Sequence, residues 1–280
     1  ELDPAPAPVE ALTFEKLEGR VLIDVADPGS EIAAIRPMLG SLGKHVPATY
    51  QGAFDLVIGN PPWTSLKPVY KAIDKAFTER CREIAAQRGL SEIARTYRNP
   101  DHVTDLPFIW GAMDWAKPGG RISLALAGRW LFKMSAAGSA ARTAIFRALT
   151  VTGVLNGASI RQSRVWPNVD QPFCLLFADN CVPGPEDHFV LVSPDDEPDL
   201  NGKGRMRIDA HDAVPVSLKL AAEQPDLLKT LYRGSSLDAT IVQRIRQRAK
   251  LSLGEFWASE LDCLEDRGIR LLIAQMMTLS

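Results

Sequence analysis

Phe54-Asp55-Leu56-Val57-Ile58-Gly59-Asn60-Pro61-Pro62-Trp63 couples a short apolar run to an abrupt turn. Phe54 to Ile58 has the length and continuity of a buried strand, and Gly59-Asn60-Pro61-Pro62 stops it at once. Open α/β sheets place their ligands at the carboxyl ends of such strands, so Asn60 falls where a site is expected. Asn60 offers a side-chain carbonyl, and Pro61 offers a backbone carbonyl on a residue with fixed φ and no N–H. Two acceptors in succession suit a conjugated amine. Hydrogen bonds to both of its N–H groups draw the nitrogen toward tetrahedral geometry, and Trp63 supplies a stacking face. Asn-Pro-Pro is also an ordinary turn sequence; the strand before it and the tryptophan after it set this copy apart.

Downstream, residues 71–89 have helical spacing, with Ile73, Ala76, Phe77, Cys81 and Ile84 on one face and Gly89 as the stop. Residues 105–116 form a second expected helix. Lys117-Pro118-Gly119-Gly120 then turns into a strand, Arg121-Ile122-Ser123-Leu124-Ala125-Leu126. A helix over 139–149 and strands over 151–155 and 172–178 follow. Upstream, Val21-Leu22-Ile23-Asp24-Val25 reads as a strand, and residues 1–10 as a Pro- and Ala-rich connector. This alternation predicts an α/β fold with a mostly parallel sheet and helices on both faces. Beyond Asn180 the character changes: residues 182–204 are rich in Pro, Gly and Asp, and residues 218–253 are mainly helical. The chain opens on Glu1-Leu2-Asp3-Pro4 and stops just after an apolar stretch, so a fragment lacking its N-terminal part is expected.

A net charge of −2 and a pI near 6.2 give no global basic signature, which leaves nucleic-acid binding to a local basic cleft. Cys81, Cys174, Cys181 and Cys263 contain no Cys-x-x-Cys pair, and His45, His102, His188 and His211 sit at no ligand spacing. No zinc site, disulfide framework or other metal centre is expected, and a reducing compartment fits. No apolar run approaches the roughly 18 residues of a membrane span, and no signal peptide is visible, so a cytoplasmic protein is expected. Gly40-Ser41-Leu42-Gly43-Lys44-His45 lacks the Ser or Thr that a phosphate loop carries after its Lys. Arg244 to Lys250 reads as a solvated basic face, and Trp110, Trp115 and Trp130 as packing residues.

Residues 54–63 closely resemble the catalytic motif of amino-methylating DNA methyltransferases. The version is that of N6-adenine-specific enzymes whose catalytic motifs precede their recognition domain, as in fused restriction–modification proteins. The resemblance runs from about residue 15 to 180, and more faintly to 257. It implies a Rossmann-like fold, S-adenosylmethionine as cofactor and double-stranded DNA as partner. It further implies transfer of a methyl group to the N6 amine of a flipped adenine, in restriction–modification or phage defence. Asn60, Pro61, Pro62 and Trp63 would be the catalytic residues. Asp105-Leu106-Pro107-Phe108 looks like the next family motif, which makes Asp105 and Phe108 candidate cofactor-pocket residues. Residues 139–149 match a family helix with an arginine, here Arg142. Val165-Trp166-Pro167-Asn168-Val169 looks like the motif whose aromatic covers the other face of the base, which assigns Trp166. Residues 1–180 would then be a partial catalytic domain, 181–217 a linker, and 218–280 the mainly helical start of a DNA target-recognition region.

Departures from that pattern keep alternatives open. The family's glycine-rich cofactor loop is missing; Gly202-Lys203-Gly204 follows no strand. Glu1 or Asp3 stands where the acidic residue for the cofactor ribose would fall, but the prolines at 4, 6 and 8 break the helix expected after it. Asp24 and Asp27 end the upstream strand, where they bound a pocket or are simply solvated. Other acceptors for the same tetrapeptide are a protein glutamine or an RNA base. A non-catalytic DNA-recognition protein on the same scaffold is the third reading.

Overall fold

The computed structural model describes residues 50–66, 71–164, 166–197, 205–224, 227–249, 251 and 253–260. Glu1, Asp3, the strand expected at 21–25, Val165 and Gly202-Lys203-Gly204 lie outside the described residues. The chain divides into two compact units, Glu1–Tyr232 and Arg233–Ser280.

In the first unit β1 (Phe54–Gly59) leads through α1 (Lys71–Gln87), α2 (Ser91–Thr96) and α3 (Asp105–Trp115) into β2 (Ala116–Ala127). Next come α4 (Arg129–Phe132), α5 (Ala136–Ala148), β3 (Thr150–Asn156) and β4 (Phe173–Asp179). Then follow β5 (His188–Val192), the short pair β6 (Asp195–Glu197) and β7 (Arg205–Arg207), β8 (Ala213–Ser217), α6 (Leu218–Glu223) and α7 (Leu227–Arg233).

Six of these strands form one sheet in the order β1-β2-β4-β3-β5-β8. The β1–β2 and β3–β5 ladders are parallel; β2–β4, β3–β4 and β5–β8 are antiparallel. Four of the six strands therefore run one way, in keeping with the expected mostly parallel sheet, while β4 and β8 run against them. The connections explain it. A parallel neighbour needs a long crossover, which α1–α3 supply between β1 and β2. Residues 157–172 carry no helix among the described positions, so β4 returns antiparallel between β2 and β3. Residues 181–217, expected as a linker, in fact add β5 and β8 to the sheet, because the apolar alternation of His188–Val192 outweighs the flanking turn residues.

Helices on both faces were expected; among the described residues they cover one. Ile122, Leu124 and Leu126 of β2, Cys174 and Leu176 of β4, Val154 of β3, and Phe189 and Leu191 of β5 share a buried face by register. Phe146 of α5 stacks on Phe189 at 5.6 Å, and Trp130 of α4 donates its indole N–H to Cys174 Sγ at 3.1 Å. Leu56, Ile58, Phe177 and Val190 fall on the opposite face and remain exposed, Ile58 at 72%.

Arg142 is fully buried and donates through Nη1 to the carbonyls of Trp130 and Lys133, tying α4 and the turn after it to α5. Trp110 and Trp130 are buried, as expected of packing residues. In the second unit, α8 (Ser236–Arg248) starts on a Ser235–Asp238 capping box and precedes α9 (Leu253–Glu260). Arg244 and Arg248 are exposed, and so are Leu237, Ile241 and Ile245, spaced four residues apart.

Candidate functional site at the carboxyl ends of the first two strands

β1 ends at Gly59, and the next residue, Asn60, is exposed at the carboxyl end of the strand, as the sequence predicted. Pro61 is buried, Pro62 exposed and Trp63 half-buried. Asn60 and Pro61 each precede a proline, so both are confined to extended backbone. The segment therefore leaves the sheet as a stiff run.

Anchors hold this run from three sides. Trp63 donates its indole N–H to the Ala125 carbonyl of β2 at 3.0 Å, and its ring stacks on Phe173 at 5.9 Å. Thr104 donates its hydroxyl to the Pro62 carbonyl at 2.7 Å, and its backbone N–H reaches the Thr64 carbonyl at 3.1 Å. Arg129, opening α4, donates to the same Thr64 carbonyl at 3.1 Å. Leu66 N–H donates to the His102 carbonyl at 2.8 Å, and Ser65 bridges Val103.

Trp166 meets the same ring as Trp63: its centroid lies 4.6 Å from that of Phe173. The structure thus brings the two candidate stacking residues to one buried phenylalanine at the start of β4. Gly157 makes room for that ring, since a Cβ there would lie 2.4 Å from Phe173 Cζ. Gln162 and Asn168, in the segment that carries Trp166, have positive φ of 56° and 63°.

Asp105 sits behind the loop, at 1% exposure, with neither carboxylate oxygen in good hydrogen-bond geometry. Burial pushes its carboxyl above the usual range, while the Arg129 charge and the nearby Ala127 and Leu106 amides pull it back. Phe108 is half-buried and packs with Leu66 against Ile73 and Phe77 of α1. The cavity beside Asp105, lined also by Arg129, Lys133 and Arg142, measures about 10 Å³, room for a single water.

Backing the anchors is a strained segment. Asp101 and His102 both have positive φ, 49° and 55°, which non-glycine residues adopt at a cost. Asp74 of α1 holds this segment by accepting from Asn99 Nδ2 at 2.9 Å and from His102 Nδ1 at 2.8 Å; Lys133 pairs with Asp101. Thr104, Arg129 and Phe173 were not singled out from sequence. A threonine directly before Asp105-Leu106-Pro107 reads as a plain helix cap, and nothing local marks the other two. Elsewhere Asp209, His211 and Asp212 bring three potential ligand atoms within 4.8 Å of one another, but Asp209 and Asp212 are already engaged in a capping box.

Neither a protein-family model nor a curated protein sequence matches the chain. Solved structures similar to it include a type I restriction–modification methyltransferase subunit from Streptococcus thermophilus, at 13% identity and TM-score 0.46, covering 69% of this chain and 40% of that one. The M protein of the type I restriction enzyme EcoKI has 13% identity and TM-score 0.39, covering 84% and 55%. The type IIG restriction endonuclease BpuSI has 12% identity and TM-score 0.38, covering 52% and 15%. The chain thus spans between 15% and 55% of the length of these proteins. Among the described residues no helix is long and apolar enough to cross a membrane.

Proposed function

We propose that the protein is an N6-adenine DNA methyltransferase of a restriction–modification or phage-defence system, acting on a flipped adenine in double-stranded DNA. The observation that carries this reading is the exposed Asn60 at a strand's carboxyl end, on a stiff Asn-Pro-Pro-Trp run anchored beside Phe173 and Trp166. Asn60 Oδ1 and the Pro61 carbonyl would accept from the two N–H groups of the target amine. Their effect is to hold the nitrogen lone pair out of conjugation and aimed at an electrophile, not to remove a proton. Trp63 and Trp166 would give an extruded base its aromatic walls.

S-adenosylmethionine is the methyl donor this chemistry requires. Asp105, buried behind the loop, and Phe108, half-buried against Ile73 and Phe77, stay the candidate cofactor-pocket residues of this reading.

The test is methyl transfer to DNA by the whole protein, read as N6-methyladenine in hydrolysed product. Asn60→Ala should lower turnover about 10²–10³-fold, with DNA affinity changed less than about threefold. Near-normal turnover in Asn60→Ala, or methylation of an RNA base or a protein glutamine in place of adenine, would defeat the proposal.

A further inference from the structure

Thr104 occupies the N-cap position of α3, yet its side chain makes no cap hydrogen bond. Ser135, Ser217 and Ser235, at the corresponding positions of α5, α6 and α8, all accept from an amide of the first turn. A cap of this kind stabilises a helix by satisfying one of its first-turn amides, and α3 forgoes it. The Thr104 hydroxyl is buried and faces the catalytic loop: Pro62 O at 2.7 Å, Thr64 O at 3.1 Å and Thr64 Oγ1 at 3.3 Å. It carries one proton, and the shortest contact takes it.

The geometry points to Thr104 and Arg129 as positioning residues that set the direction of the Pro61 carbonyl by fixing the two later carbonyls of the same run; this rests on the methyltransferase reading above. Between Asn60 and Trp63 the φ angles of Pro61 and Pro62 are locked by their rings. The rotations left are ψ at 60, 61 and 62 and φ at 63, and the first two are restricted by the proline that follows. Thr104 fixes the Pro62 carbonyl, and the Trp63 indole bond to Ala125 fixes the far end. With the start of the run held by the pairing of Gly59 with Leu124 and its end by these bonds, the Pro61 carbonyl has little freedom to turn. Arg129 adds the second clamp, donating to the Thr64 carbonyl at 3.1 Å. The strained Asp101–His102 pair delivers Thr104 to this position and is itself held by Asp74 and Lys133.

Thr104→Val keeps the volume and removes the donor; Thr104→Ser keeps the donor. In the whole protein, hydrogen exchange at the amides of Leu66 and residue 104, bonded to the His102 and Thr64 carbonyls, should quicken about tenfold or more in Thr104→Val and stay near wild type in Thr104→Ser. Turnover should fall about 10–100-fold in Thr104→Val, with KM for DNA within about threefold, and Thr104→Ser should recover most of it. Arg129→Gln provides an independent variant with the same expected split. Unchanged exchange in Thr104→Val overturns the inference whatever the activity; so does faster exchange with unchanged turnover. If the wild type transfers no methyl group, or Asn60→Ala matches it, the functional reading fails, and the exchange comparison still decides whether Thr104 anchors the loop.

Discussion

Replacing Asn180 with alanine should destabilise the first unit by about 2–4 kcal/mol, from the groups it would leave unpaired. Asn180 is 5% exposed just past β4, at the opposite end of β2 from Asn60. Its Nδ2 lies 2.9, 2.8 and 3.1 Å from the carbonyls of Met113, Ala116 and Lys117, and its Oδ1 accepts from Arg88 Nη1 at 2.8 Å. Two amide protons serve three carbonyls, so at most two of those bonds are strong. Truncation would strand about two carbonyls and one guanidinium N–H, each worth roughly 1–3 kcal/mol when buried and unsatisfied, less what entering water recovers. Arg88 keeps its bond to the Ala148 carbonyl at 2.8 Å, which limits the damage. Against a total stability of about 5–15 kcal/mol, the loss would be plain in urea denaturation as a lower midpoint with unchanged slope. A loss below about 1 kcal/mol would refute the view of Asn180 as the tie between α3, β2 and α1.

The open sheet face gives a paired comparison. Ile58→Thr, at a 72% exposed position, should change stability by no more than about 0.5 kcal/mol, whereas Ile122→Thr, at 1%, should cost about 2 kcal/mol or more; equal losses would mean that the face of β1 is covered in solution. Asp105 has a raised carboxyl pKa in the folded state. Its ionised form therefore penalises folding above the unfolded value of about 3.9, and the penalty fades as pH falls through the folded value. Asp105→Asn should accordingly gain most over wild type near about pH 7 and lose that advantage toward about pH 4; a difference in stability that is flat with pH would contradict the assignment.

Much of the local structure was legible because it depends on short-range rules. The run from Phe54 to Trp63 announces a strand and its stop, Gly89 follows the end of α1, and the helical spacing of residues 71–84 appears as a helix with Ile73, Phe77, Cys81 and Ile84 buried. Asn60 reached the expected strand end because two prolines allow the backbone after Gly59 little else. Strand partners were not legible. The sequence marks neither that β4 inserts antiparallel between β2 and β3 nor that β5 and β8 extend the sheet, because pairing depends on what the connections permit and not on the strands themselves. The site's support was hidden for the same reason. Thr104 looks like a helix cap until the Pro62 carbonyl, 42 residues away, is placed 2.7 Å from its hydroxyl. Asn180 looks like a boundary residue until three carbonyls and an arginine converge on it. Sequence alone marked Asn60 to Trp63 as the candidate site and determined the elements flanking it. Tertiary structure alone decided what holds the tetrapeptide still, because a hydrogen bond between distant residues exists only once folding has brought its two ends together.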